Sequence, residues 1–140
     1  SMVEYLAGEV PFYEMNQWSG WIPVNGMGGS DSLRGLPSGR LLGPGKWVWN
    51  NEFRIDVVEH DLFRRPLRWE LVPFVDVGAV FGANGPAPDG IPVYPGVGAG
   101  IRAIYDTTLV VRIDSAVGWD RVPEGLAPEF GFYVVFDHSF

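Results

Sequence analysis

Residues 69–81, WELVPFVDVGAVF, alternate with a period of two. The odd positions are Trp69, Leu71, Pro73, Val75, Val77, Ala79 and Phe81, all apolar. The even positions, Glu70, Val72, Phe74, Asp76, Gly78 and Val80, carry the carboxylates and the glycine. Side chains of a strand point alternately to opposite faces, so this stretch predicts a two-faced strand. The same period runs through 47-WVWNNEFRIDVV-58, 97-VGAGIRAIY-105, 109-LVVRIDSAV-117 and the final stretch from Phe130 to Phe140. The opening 3-VEYLAGEV-10 predicts a further strand with ambiguous faces. No segment has helical periodicity. The expected fold is all-β, an antiparallel meander of about six strands.

The connections also carry a pattern. A long glycine-rich segment spans residues 11–45, then a moderate turn at 60–68 and a long loop at 82–96. A tight turn follows at Asp106-Thr107, and another loop at 118–129. Strands of about 9–11 residues joined by alternating long and short connections suit a transmembrane barrel. A soluble sandwich shows the same alternation with its faces reversed, so period alone does not choose between them. Three details favour the barrel. Trp47, Trp49, Trp69 and Trp119 sit where an interfacial aromatic girdle would lie. One face carries both charge signs: alternation puts Glu52, Arg54, Asp56, Glu70, Asp76, Arg102, Arg112 and Asp114 on a common side, a candidate polar network lining a lumen. The chain ends on an aromatic strand with Phe136, His138 and Phe140 in phase.

Composition removes several function classes. The formal charge is −7, which is not the footprint of a nucleic-acid binder. Cysteine is absent, and His60 and His138 lie far apart, so neither a disulfide framework nor a zinc site is expected. With 19 glycines, 12 prolines and 14% aromatics, the chain favours short strands and turns over disorder. Paired carboxylates on the charged face admit an acid–base reading, but charges line most barrel interiors. The run 96-GVGAG-100 is not a phosphate loop, because its spacing is wrong and no helix follows. It reads as a thin strand whose glycines leave room for something close. Arg64, Arg65 and Arg68 read as a solvated turn, and Ser1-Met2 as a cloning scar before a barrel segment over 3–140.

The segment 28-GGSDSLRGL-36 is more specific. Gly28, Gly29, Leu33, Arg34, Gly35 and Leu36 resemble the glycine pair and aliphatic-Arg-Gly-aromatic tetrad of the bacterial surface antigen domain. That domain is the C-terminal barrel of outer-membrane assembly factors and two-partner-secretion transporters. The stretches 50-NNEFRID-56, 74-FVDVG-78, 96-GVGAGIR-102 and 109-LVVRIDSAVG-118 continue the resemblance in order. Leu36 stands where the family usually has an aromatic, Leu33 where valine is common, and Val135 where the terminal strand often has glycine.

The resemblance implies a location in the outer membrane of a Gram-negative bacterium and a part in inserting or exporting polypeptides, with no catalysis and no cofactor. It also implies that the long loop folds back into the barrel. There Leu33, Arg34, Gly35 and Leu36 would lock against Phe74, Asp76 and Gly78, and Phe136, His138 and Phe140 would form the terminal assembly signal. Expected partners are outer-membrane lipid and client polypeptides. Two alternatives stand beside this: a barrel that anchors a fused enzyme domain such as a patatin-like lipase, and a soluble all-β binding module. Six strands are fewer than the ~8 of the smallest barrels, so the chain is expected to be a fragment whose open edges invite self-association.

Overall fold

The computed structural model describes residues 2–6, 26–82, 91–106, 108–122 and 125–138. Those residues form one antiparallel sheet of seven strands: β1 (Met2–Tyr5), β2 (Gly45–Glu52), β3 (Ile55–Leu62), β4 (Arg65–Phe81), β5 (Val93–Tyr105), β6 (Leu109–Val122) and β7 (Gly125–His138). No helix occurs among them. The order is β1-β2-β4-β5-β6-β7, with β3 also on β4. No ladder joins β1 to β7 among the described residues, so the sheet is open.

The expected single strand over 47–58 is two. β2 pairs with the second half of β4 (Glu52↔Phe74) and β3 with its first half (Ile55↔Leu71). The break at Phe53-Arg54 faces Pro73. Phe53 donates its N–H to the Pro73 carbonyl at 3.0 Å. Proline has no N–H to return the second bond of that pair, so the ladder cannot continue there.

Two expected loops are corrected. Residues 60–68 are mostly strand, turned by Phe63 and Arg64 alone, since Leu62 pairs with Arg65. Both turn residues have positive φ, 52° and 64°, as a type I′ turn demands. Residues 118–129 are also mostly strand: β6 runs to Val122, which pairs with Gly125. The tight turn near Asp106 occurs as expected, with Asp106 at φ 49° and Thr108 N–H bonded to the Tyr105 carbonyl at 3.2 Å. The strand over 69–81 ends at Phe81 as expected, the expected long loop gives up Val93–Gly96 to β5, and its residues 83–90 lie outside the described set, as do 7–25. Met2, read as part of a scar, pairs with Val48.

The two faces of the sheet differ sharply. Directly opposed residues Ile55, Leu71, Ile101, Ile113 and Val134 make one aliphatic row across five strands. All five are exposed. Their neighbours on the same face include Val75, Val97, Phe130, Phe132 and Phe136, also exposed. We call this the open face. The opposite, covered face holds Glu70, Val72, Phe74, Asp76, Arg102 and Asp114, all buried. Segment 26–44 folds over part of this face and reaches Phe74, Asp76 and Asp114. That segment adds its own small core of Met27, Leu33, Leu36 and Leu41 against Val48 and Val80, with Tyr94 alongside.

Neither Phe nor Arg is suited to the left-handed region, and each such residue costs roughly 1–3 kcal/mol. Replacing Phe63-Arg64 with Asn-Gly is therefore expected to raise stability by about 1–2 kcal/mol. A urea titration in mild detergent checks this, and an unchanged or lower midpoint counts against the turn assignment.

Candidate functional site

The site is the underside of segment 26–44 and the wall beneath it. Gly28 and Gly29 start the segment with positive φ, 118° and 88°. Ser32 ties the bend: its Oγ accepts from Gly28 N–H at 2.9 Å and donates to the Gly28 carbonyl at 3.0 Å. Gly29 N–H reaches the Leu36 carbonyl at 2.8 Å, and Met27 and Leu41 exchange backbone bonds. These bonds close the segment on itself and leave Arg34 at its tip.

Arg34 meets Asp76 edge to edge. Its Nε donates to Asp76 Oδ2 at 2.7 Å, its Nη2 to Oδ1 at 2.8 Å, and its backbone N–H to Oδ2 at 3.2 Å. Nη1 reaches Glu52 Oε1 at 2.7 Å and Asp114 Oδ2 at 3.5 Å. The guanidinium lies 3.5 Å from the centre of the Phe74 ring. Arg34 is 3% exposed and Asp76 fully buried, so this is a buried, paired charge. Burial alone would lower the Arg34 pKa. Its hydrogen bonds and charge contacts with Asp76, and then with Glu52, reverse this and hold it above its ordinary value.

The pair sits in a wider network. Arg102 bonds Asp114 and lies 3.4 Å from Glu52. Arg112 Nε is 3.3 Å from Asp114 Oδ2, and its Nη2 donates to the Ser30 carbonyl at 3.1 Å. Arg34, Arg102 and Arg112 thus face Glu52, Asp76 and Asp114, with balanced charge. At the other end of the segment, Arg40 Nε donates to the buried Asp120 at 2.6 Å.

Glycines set the spacing. Asp76, Gly96 and Gly118 lie in one row across β4, β5 and β6. A Cβ on Gly96 would strike the Arg34 carbonyl oxygen, and one on Gly35 or Gly118 would drive two backbones together. Gly35 also has φ 99°. Gly78 leaves room for Met27 and Leu33. Gly98 and Gly100 serve a different purpose from Gly96: they accommodate the Phe74 ring and the Arg102–Asp114 pair.

The structure brings together Leu33, Arg34, Gly35, Leu36, Phe74, Asp76 and Gly78, and it adds Glu52, Arg102, Arg112 and Asp114. Three expected network members stand apart. Arg54 is exposed and reaches only Glu52, at 3.3 Å. Asp56 is exposed with no ion pair among the described residues, although it opposes Glu70 in β4. Glu70 is buried and ion-paired with Arg68, at 3.4 Å, although it directly opposes Arg102 and lines a cavity with Glu52 and Arg112. In the arginine cluster Arg64 and Arg65 are exposed, as expected of a solvated turn, with Arg65 also paired with Asp106 at 2.9 Å, and Arg68 is half-buried. The tryptophans fall at two levels. Trp49 opposes Val77, and Trp119 lies one step past the Gly96↔Gly118 pair, at the same height. Trp69 lies back along β4 from Val77 by about 27 Å, at ~3.4 Å per residue. Trp47 is half-buried, two pairs further out, opposite Ala79. Phe136 is exposed on the open face opposite Val111, His138 ends β7, and Phe140 lies outside the described residues.

Tyr133 is a participant the motif reading missed. Its hydroxyl accepts from Gly35 N–H at 3.0 Å and donates to the Leu36 carbonyl at 3.2 Å. Alternation places Tyr133 on the covered face, but nothing local to it points to Gly35. Asn50, which donates to the Ser32 carbonyl at 2.5 Å, was missed as a contact for the same reason.

Compared with protein-family models, with curated proteins and with solved structures, the chain matches none.

Removing one partner of a buried ion pair costs about 3–5 kcal/mol. Arg34→Ala and Asp76→Ala are each expected to fall in that range, and the double variant to cost much less than their sum. Urea midpoints of all three measure the coupling, and a coupling below ~0.5 kcal/mol, the level of independent sites, would refute a clamp. Gly35→Ala is expected to lift the segment without removing any charged side chain. Trypsin cleavage after Arg34 and Arg40 should then speed up at least tenfold, whereas an unchanged rate would show that the close backbone approach is dispensable.

Proposed function

We propose that this chain is part of a bacterial outer-membrane β-barrel of the surface-antigen type, serving the insertion or export of polypeptides. One observation carries the reading: a long loop pins a buried arginine to the aspartate of 74-FVDVG-78, on the charged face of a sheet whose other face is apolar and exposed. A soluble sandwich turns its apolar face inward. Here the aliphatic row from Ile55 to Val134 is open, and the ion pairs are covered. The levels of Trp49 and Trp69 are separated by about the ~25 Å height of an outer-membrane barrel's apolar band, less some reduction for strand tilt. In this reading the open face meets lipid, the covered face lines the lumen, and the loop plugs it. The open edges of β1 and β7 are completed by further strands, from another segment or a second copy. The barrel acts by shape and by controlled opening rather than by chemistry.

The absence of cysteine makes single-cysteine mapping direct. In liposomes, Val75→Cys and Ile113→Cys are expected to be shielded from a water-soluble maleimide, while Glu52→Cys reacts at least tenfold faster. Equal labelling at all three positions would contradict the membrane orientation. In the same liposomes, an unfolded outer-membrane barrel protein should insert several-fold faster than into empty ones. Correct orientation without acceleration would instead favour a barrel that only anchors another domain.

A further inference from the structure

The turn end of the open face has a feature that the loop and the network do not explain. Leu62, Phe63, Leu67, Ala103, Tyr105 and Val111 line an apolar cleft there. Leu67 is 8% exposed and forms part of its buried lining, whereas Phe63 is 87% exposed at its lip. Tyr105 braces one wall by donating its hydroxyl to the Leu62 carbonyl at 3.2 Å. Next to Phe63 stands Arg64, exposed and with no ion-pair partner among the described residues. Its neighbours are engaged: Arg65 by Asp106 and Arg68 by Glu70.

We infer that this cleft holds one anionic phospholipid, with an acyl chain along the cleft and its phosphodiester at Arg64. The inference rests on the membrane reading above and adds a specific lipid contact to it. Three points carry it. The cleft is almost wholly apolar, which suits a hydrocarbon chain and not a polar metabolite. Arg64, an exposed positive charge with no ion-pair partner among the described residues, directly follows the lip residue Phe63, where a headgroup's single negative charge would complement it. An aromatic followed by a cation is the side-chain chemistry of a membrane–water interface, the ring entering the apolar layer and the charge reaching out of it. A further point concerns the turn itself. Asn-Gly would satisfy its geometry without strain, yet Phe and Arg occupy it at positive φ. An unfavourable pair at an exposed turn points to a task other than turning.

That mismatch supplies a test in which function and stability move in opposite directions. Native mass spectrometry of the whole chain in detergent, titrated with phosphatidylglycerol or phosphatidylcholine, reads the lipid retained. The wild type is expected to keep one phosphatidylglycerol with at least fivefold preference. The double variant Phe63→Asn with Arg64→Gly should fold at least as well and lose the preference. Arg64→Gln alone should bring it to within twofold of parity. No preference in the wild type, or the same preference in the double variant, would overturn the inference. Liposome labelling separates the two readings. Shielding of Val75→Cys and Ile113→Cys without lipid preference rejects the lipid site alone. Loss of shielding rejects the membrane reading and the site with it.

Discussion

A guanidinium removed from water must find charge and hydrogen-bond partners within the protein, or the fold does not form around it. Arg34 imposes that demand, and much of the covered face answers it. Asp76 supplies both oxygens in the plane of the fork, Glu52 takes the remaining nitrogen, and Phe74 offers its ring face. For the arginine to reach that depth, its own backbone must nearly touch the wall. The row of Asp76, Gly96 and Gly118 makes this possible by offering one carboxylate followed by two residues without side chains. The glycines of β5 and β6 are thus the counterpart of the loop: one surface is thinned where the other descends.

The wall must solve its own electrostatic problem. Arg102 and Arg112 oppose each other directly across β5 and β6, an unfavourable like-charge pairing. Asp114 lies one step up the covered face, in the row of Gly100, and contacts both. It also lies within 3.5 Å of Arg34. A single carboxylate therefore joins the wall's pair to the loop's arginine, while Glu52 bridges Arg34 and Arg102 from the far side. Loop position and wall electrostatics are consequently one coupled unit. A displacement of the loop removes a positive charge from both Glu52 and Asp114 at once.

Much of this was legible in the sequence because alternation survives without any tertiary information. Val75 and Asp76 differ by one position and fall on opposite faces, as period two requires. The failures have local physical causes. Pro73 interrupts not its own strand but the one across from it, so its effect on Phe53 and Arg54 is invisible until the register is known. Phe63-Arg64 carries none of the usual turn chemistry and was absorbed into a longer turn. The loop expected over 118–129 was too long as well, there because glycine and proline suggested it. Pro128 sits in β7, an edge of the sheet, where a missing N–H is tolerated.

The candidate site was legible as a set of motifs and not as a set of contacts. Arg34 and Asp76 could be paired in advance because each belongs to a recognisable short pattern. Tyr133 could not, since its two bonds go to backbone atoms of Gly35 and Leu36, 98 and 97 residues away. Backbone groups carry no sequence signature, so a side chain that recognises them leaves none. Asp56 fails in the other direction. It has the right phase and the right charge, yet it lies beyond the break opposite Pro73 and the loop does not reach it. Phase assigns a residue to a face, but the reach of segment 26–44 decides which residues on that face belong to the site.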